Sequence, residues 1–157
     1  MQSQGHPGMA FWMFMQAHEE EEHAFRLLEW LTLKGHKHVW GPIPEPSEKL
    51  YAALSYCIWH VYYFFLRYPN PLSAFHASLA HEKHITQKIK EMNSKIMPFD
   101  KDYPQLGIAK LCEWFESEQE EEEESVSKVI KMIEDGTKMG RPLTELDLEI
   151  GLLKKED

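Results

Sequence analysis

The sequence predicts an all-α protein, and three observations carry that reading. Proline and glycine cluster in "GHPG" at 5–8, "GPIPEPS" at 41–47, "YPNP" at 68–71, "MPFDKDYP" at 97–104 and "DGTKMGRP" at 135–142, leaving segments of helical length between them. Apolar residues inside those segments recur at steps of three and four, the period of a helix face. No alternating apolar and polar run bounded by tight turns is present, so strands are not supported. Helices are expected near 9–34, 49–67, 71–96 and 105–134, with a short one near 142–155 inside the C-terminal segment 135–157. No repeat or linker divides the chain, so 1–157 reads as a single domain.

The first helix carries "HEEEEHAFRLLEWL", His18 to Leu31, with four glutamates between two histidines. Stepping by four and three from Met9 gives Met9, Met13, Gln16, Glu20, His23, Leu27 and Trp30 as an inward seam. The positions one step earlier, Trp12, Met15, Glu19, Glu22, Arg26 and Glu29, read as a boundary or solvent face. Most of the charge run is then surface, but Glu20 and His23 are not.

The segment 49–67 is the most apolar of the chain and is taken up below. The helix at 71–96 places Leu72, Phe75, Leu79, Glu82, Thr86 and Ile89 along its seam, so a single carboxylate interrupts a mostly apolar stripe. The helix at 105–134 places Ile108, Cys112, Phe115, Gln119, Glu122, Val126, Val129 and Ile133 there. Its "EQEEEEE" run thus hides an inward Gln119 and Glu122.

A carboxylate in an apolar core either takes up a proton or needs a cation, because its desolvation costs several kcal/mol or more. Three helices each turn acidic groups inward at mid-length, and no lysine or arginine occupies these seams. A bound metal answers the difficulty. Carboxylate oxygens with one imidazole suit iron or manganese better than a thiolate site would. A seam misplaced by one position would leave the glutamates solvated and His23 a boundary histidine; three coincident interruptions argue against it. The histidines at 36, 38, 60, 76, 81 and 84 have no matching constellation and read as boundary or surface groups.

The remaining composition narrows the function. With 157 residues, 43% hydrophobic and 12% aromatic, the chain can bury a sizeable core. Asp and Glu outnumber Lys and Arg by 26 to 17 for a net charge of -9, with no basic stripe to follow a phosphate backbone, so no nucleic-acid partner is expected. Cys57 and Cys112 are far apart, without CxxC spacing, which fits a reducing, cytoplasmic home. No signal peptide is read at the start.

Glu20-x-x-His23 on one helix, the lone Glu82 in "AHEKHITQKI" and Gln119-x-x-Glu122 in "WFESEQEEEE" resemble, as an ordered set, the ferroxidase-site motifs of non-haem ferritins. The resemblance covers most of the chain. Residues 4–50 resemble the second helix and following loop of the prokaryote-type branch, while "NPLSAFHASLAHEKHITQKIKEMN" and "DYPQLGIAKLCEWFESEQEEEEESV" resemble its third and fourth helices. It implies a ferritin-like four-helix-bundle subunit that assembles into a hollow 24-subunit homo-oligomeric shell and stores iron as a ferric mineral. By the same resemblance Glu20 bridges two irons, His23 ligates the first, and Glu82 and Glu122 the second, with Gln119 beside it. A third iron position in some members matches Glu19, Glu118 and Glu121. The implied chemistry is oxidation of Fe(II) by dioxygen or peroxide.

Two departures from the family pattern stand out. Its first helix, which supplies a further glutamate ligand and a tyrosine, has no counterpart, and about 18 extra residues, "YAALSYCIWHVYYFFLRY" at 51–68, enter a connection that is short in the family. The insert has three readings. A membrane segment is disfavoured by a length at the short limit for spanning and by His60 and Arg67. It could instead fold into the groove left by the missing helix. A gene-model error, with a retained intron and a missed first exon, explains both departures and is the favoured reading.

Three functions compete on this basis: a ferritin subunit with ferroxidase activity, a ferritin-like subunit or interaction protein that has lost turnover, and a rubrerythrin-like peroxidase. Ile85, three residues after Glu82 where a histidine would be needed, and the lack of rubredoxin-like cysteines argue against the last.

Overall fold

A computed structural model describes residues 5–35, 37, 68–102 and 107–154, with 99–102 described by backbone alone. Four helices hold nearly all of them: α1 (Pro7–Leu33), α2 (Pro71–Asp102), α3 (Ile108–Lys138) and α4 (Leu143–Leu152). No strand occurs among the described residues, in keeping with the all-α reading. The helix expected at 49–67 lies outside them, as does the insert at 51–68 except for Tyr68.

Each helix begins where local chemistry lets it. Pro7 opens α1 at a position whose backbone N–H would have no helical partner. Pro71 does the same for α2, where the Asn70 side chain accepts the Ser73 N–H at 2.9 Å and so caps the first turn. α3 follows Gly107, whose φ of +68° suits glycine. α2 runs six residues past its expected end, from 96 to Asp102, with Pro98 inside it. A proline so near the end of a helix forfeits one bond, to the carbonyl of residue 94, and the helix continues.

α2 packs along α3, while α4 packs against both α1 and α3. The core where these surfaces meet holds Met9 and Trp12 of α1, Ala74 and Phe75 of α2, Val126, Val129, Ile130 and Ile133 of α3, and Leu146 and Ile150 of α4. Trp12 meets Phe75 edge to face at 5.3 Å. Burying a side chain of this size stabilises the fold by roughly 1.5–3 kcal/mol.

The seam read for α3 holds almost residue for residue: Ile108, Cys112, Gln119, Glu122, Val126, Val129 and Ile133 are buried. Only Phe115 is less covered. α1 differs. Trp12, placed by the periodicity on a boundary face, is 1% exposed, whereas the Glu20 side chain, placed on the seam, is 45% exposed. The inward line of α1 runs through Met9, Trp12, Gln16, Glu19 and His23. Its rotation is set at the amino end by α4, where the Asp147 carboxylate accepts the Gly8 and Met9 N–H groups at 2.9 and 2.8 Å.

Candidate metal centre

α2 and α3 lie side by side with Glu82 and Gln119 facing each other. The Gln119 amide donates to Glu82 Oε2 at 3.0 Å and to the Glu82 carbonyl at 3.2 Å. Thr86, one turn on, donates its hydroxyl to the same carbonyl at 3.0 Å. From α1, the Gln16 amide donates to Glu122 Oε2 at 2.7 Å and also to Glu19. Two amides thus orient two buried carboxyl groups that, among the described residues, have no arginine or lysine directly upon them.

The electrostatics follow from that burial. Desolvation pushes the Glu82 carboxyl up to about 7 against the Gln119 hydrogen bond, and the charges of Glu20, Glu122 and Glu123 push the same way. Glu122 is likewise raised to about 7 by burial and by the Glu19 charge, with Gln16 and Lys154 opposing. His23 rises above its ordinary value because Glu20 stands 3.7 Å from Nδ1, which outweighs desolvation. Its Nε2 faces Glu118 at 3.6 Å.

Glu20 acts on all of these groups. Its charge is felt at His23, Glu82, Glu122 and His81, although it reaches them from the rim of the bundle. Glu19, Glu118 and Glu121 lie to one side, lining with His23, Glu122 and Lys154 a cavity of about 320 Å³. Glu20, Glu82 and Gln119 do not line it. Among the described residues, no group of three or more histidine, cysteine, aspartate or glutamate side chains is drawn close enough to hold an ion outright. The acidic groups are engaged instead by Gln16, Gln119 and Lys154.

Three residues were not legible as part of this region. His81 reads from the sequence as a boundary or surface group, yet it is 6% exposed, its Nδ1 has no hydrogen-bond partner among the described residues and burial lowers its pKa. Its place directly before Glu82 was the only available signal. Lys154 supplies the cation missing from the seams: its ammonium bridges both oxygens of Glu19 at 2.7 and 2.6 Å. Arg26 lies over the Trp114 ring at 3.9 Å, on the side where His23 meets the same indole. No helix periodicity marks either cation, because each is brought in by contact between elements.

Buried carboxyl groups on α2 and α3 that burial biases toward the protonated form, with an imidazole on α1, suit a divalent cation that would replace their protons. A family model for the ferritin-like domain matches residues 1–135. The chain belongs to the ferritin-like family. All of α1 and α2 and most of α3 lie within the match; α4, with Asp147 and Lys154, lies beyond it.

Curated ferritins are similar over nearly the whole chain. Bacterial non-heme ferritins of Escherichia coli O157:H7 and Shigella flexneri are each 27% identical over 150 residues, covering 96% of this chain and 78% of the relative. A probable bacterial non-heme ferritin-like protein of Haemophilus influenzae is 28% identical over the same shares. No solved structure matches the chain significantly. Among the described residues of this ferritin-like chain, no helix is long and apolar enough to cross a membrane.

Proposed function

We propose that this chain is an iron-storage ferritin subunit that binds Fe(II) between α1, α2 and α3, oxidises it and passes the Fe(III) to a mineral. One observation carries the reading: the Glu20 charge acts on His23, Glu82 and Glu122, so that groups from three helices share one field, while Glu82 and Glu122 are 8% exposed. Iron is substrate here. Glu20, His23, Glu82 and Glu122 hold it, Gln119 orients Glu82, and Glu19, Glu118 and Glu121 form a neighbouring third position. Each Fe(II) gives up one electron. Dioxygen takes two electrons and two protons to leave as hydrogen peroxide, and peroxide in turn can serve as oxidant for further Fe(II).

The carboxyl protons of Glu82 and Glu122 leave as the cation enters, so binding is proton-coupled. Assembly into a cytoplasmic homo-oligomeric shell accompanies this reading. Phe14 and Phe25 are exposed on α1, and Leu148 and Leu152 on one face of α4, apolar surface that neighbouring subunits would cover.

The open position of Glu20 favours a second reading, a ferritin-like subunit that binds iron weakly and does not turn over. Anaerobic titration with Fe(II), followed by mixing with oxygenated buffer, separates the two. Saturable binding followed by rapid ferric absorbance supports the ferroxidase; binding without oxidation supports the second reading. Absence of saturable binding would falsify both.

A further inference from the structure

We propose that Lys154 is a built-in counter-ion of the acidic cavity, seated on Glu19 until a multivalent cation displaces it, and so sets the threshold at which the cavity fills. The inference rests on the metal-binding reading above and adds a regulator to it. Five carboxylates line the cavity, those of Glu19, Glu22, Glu118, Glu121 and Glu122, against the cationic side chains of Lys154 and Arg26 and the imidazole of His23. Arg26 is held over the Trp114 ring at 3.9 Å. Among the described residues of the lining, Lys154 is the cation hydrogen-bonded to a carboxylate, while the His23 imidazole stands 3.6 Å from Glu118. Its side chain is only 11% exposed, its ammonium bridges both Glu19 oxygens, and the Trp12 ring lies 5.6 Å from it.

Glu19 and Glu122 share the Gln16 amide, so the lysine is coupled to the buried carboxyl through one intervening side chain. Lys154 follows the last turn of α4, which ends at Leu152, and its four-carbon stem can swing away without unfolding a helix. A metal ion with two or more charges competes for the same oxygens with an ammonium that carries one. Lys154 acts through Glu19 and is a positioning residue.

The test uses the full chain and Tb(III), whose luminescence is sensitised by a nearby indole such as Trp114 at the cavity wall. Lys154→Gln is expected to bind Tb(III) about tenfold more tightly than wild type, a coupling of ordinary size. Lys154→Arg, which keeps the charge, should stay close to wild type, as should Lys128→Gln, which removes an exposed lysine and controls for net charge. In the unsubstituted chain, acetylation of the Lys154 amine should speed up when Tb(III) is added, a readout independent of whether the variants fold. Equal affinity of wild type and Lys154→Gln, with no change in acetylation, overturns the counter-ion role and leaves the metal site standing. If neither protein binds Tb(III) at the cavity, both ideas fall.

Discussion

A methyl group on Gly8 would stand 2.0 Å from the carbonyl oxygen of Asp147, so α1 and α4 meet backbone to backbone. Gly151 completes the contact, since a Cβ there would come within 2.7 Å of Gly8 Cα. No rotamer change relieves a clash with backbone. Gly8→Ala is therefore expected to destabilise the chain by at least about 2 kcal/mol. Urea denaturation measures it, and an unchanged midpoint would mean that the two helices do not touch as described.

Asp147 contributes differently from Gly8, through its side chain. It is 2% exposed and serves as the N-cap that α1 lacks locally, since His6 makes no side-chain cap bond. Asp147→Ala leaves the Gly8 and Met9 N–H groups without acceptors and should cost about 1–2 kcal/mol. Asp147→Asn keeps one acceptor and should fall between. Thermal melts of the three proteins give the order, which fails if Asn proves as damaging as Ala.

The buried carboxyls make stability depend on pH in the metal-free chain. Glu82 and Glu122 have an ordinary value of 4.5 and are raised to about 7 in the folded chain. Between those limits the folded chain keeps protons that the unfolded chain has released. Stability from these groups is thus full below about 4.5 and is lost as pH rises through about 7. His23, also raised, acts in the same direction, being most favourable below 6.5. The two carboxyls together should weaken the chain by a few kcal/mol between pH 5 and pH 8, in the presence of chelator. Glu82→Gln and Glu122→Gln should each flatten that slope while weakening Fe(II) binding; a flat wild-type profile would show that the carboxyls are not desolvated.

The glutamates of α1 and α3 should differ sharply. Glu20→Ala is expected to abolish most Fe(II) binding in anaerobic titration while affecting folding less. Glu29→Gln on α1 and Glu124→Gln on α3, both exposed and outside the cavity lining, should leave stability within about half a kcal/mol and oxidation nearly unchanged. Variants of Glu19, Glu22, Glu118 and Glu121, which line the cavity, should lie between. Loss of oxidation in Glu29→Gln as severe as in Glu20→Ala would place the wrong face of α1 at the site.

The helical class, the start of α2 at Pro71 and the inward face of α3 were determined by the sequence itself. Each depends on interactions within one stretch of chain: a fixed φ, a missing N–H, or a run of apolar residues whose period leaves one face to bury. Glu82, Gln119 and Glu122 could be found that way because they interrupt stripes that are otherwise apolar. The rotation of α1 could not. Trp12 and Glu20 are eight positions apart on a helix whose charged and aromatic residues occupy several faces, and periodicity alone leaves its phase open by a step. The choice falls to α4 and the residues just after it, more than 100 residues away in the chain: Asp147 grips the first turn, Gly8 and Gly151 admit close approach, and Lys154, past the end of α4, draws Glu19 inward. Contacts between distant segments decide which buried charge finds a partner, because the desolvation of a carboxylate is offset by whichever cation or amide the assembled fold brings within reach, and no local pattern encodes that distance.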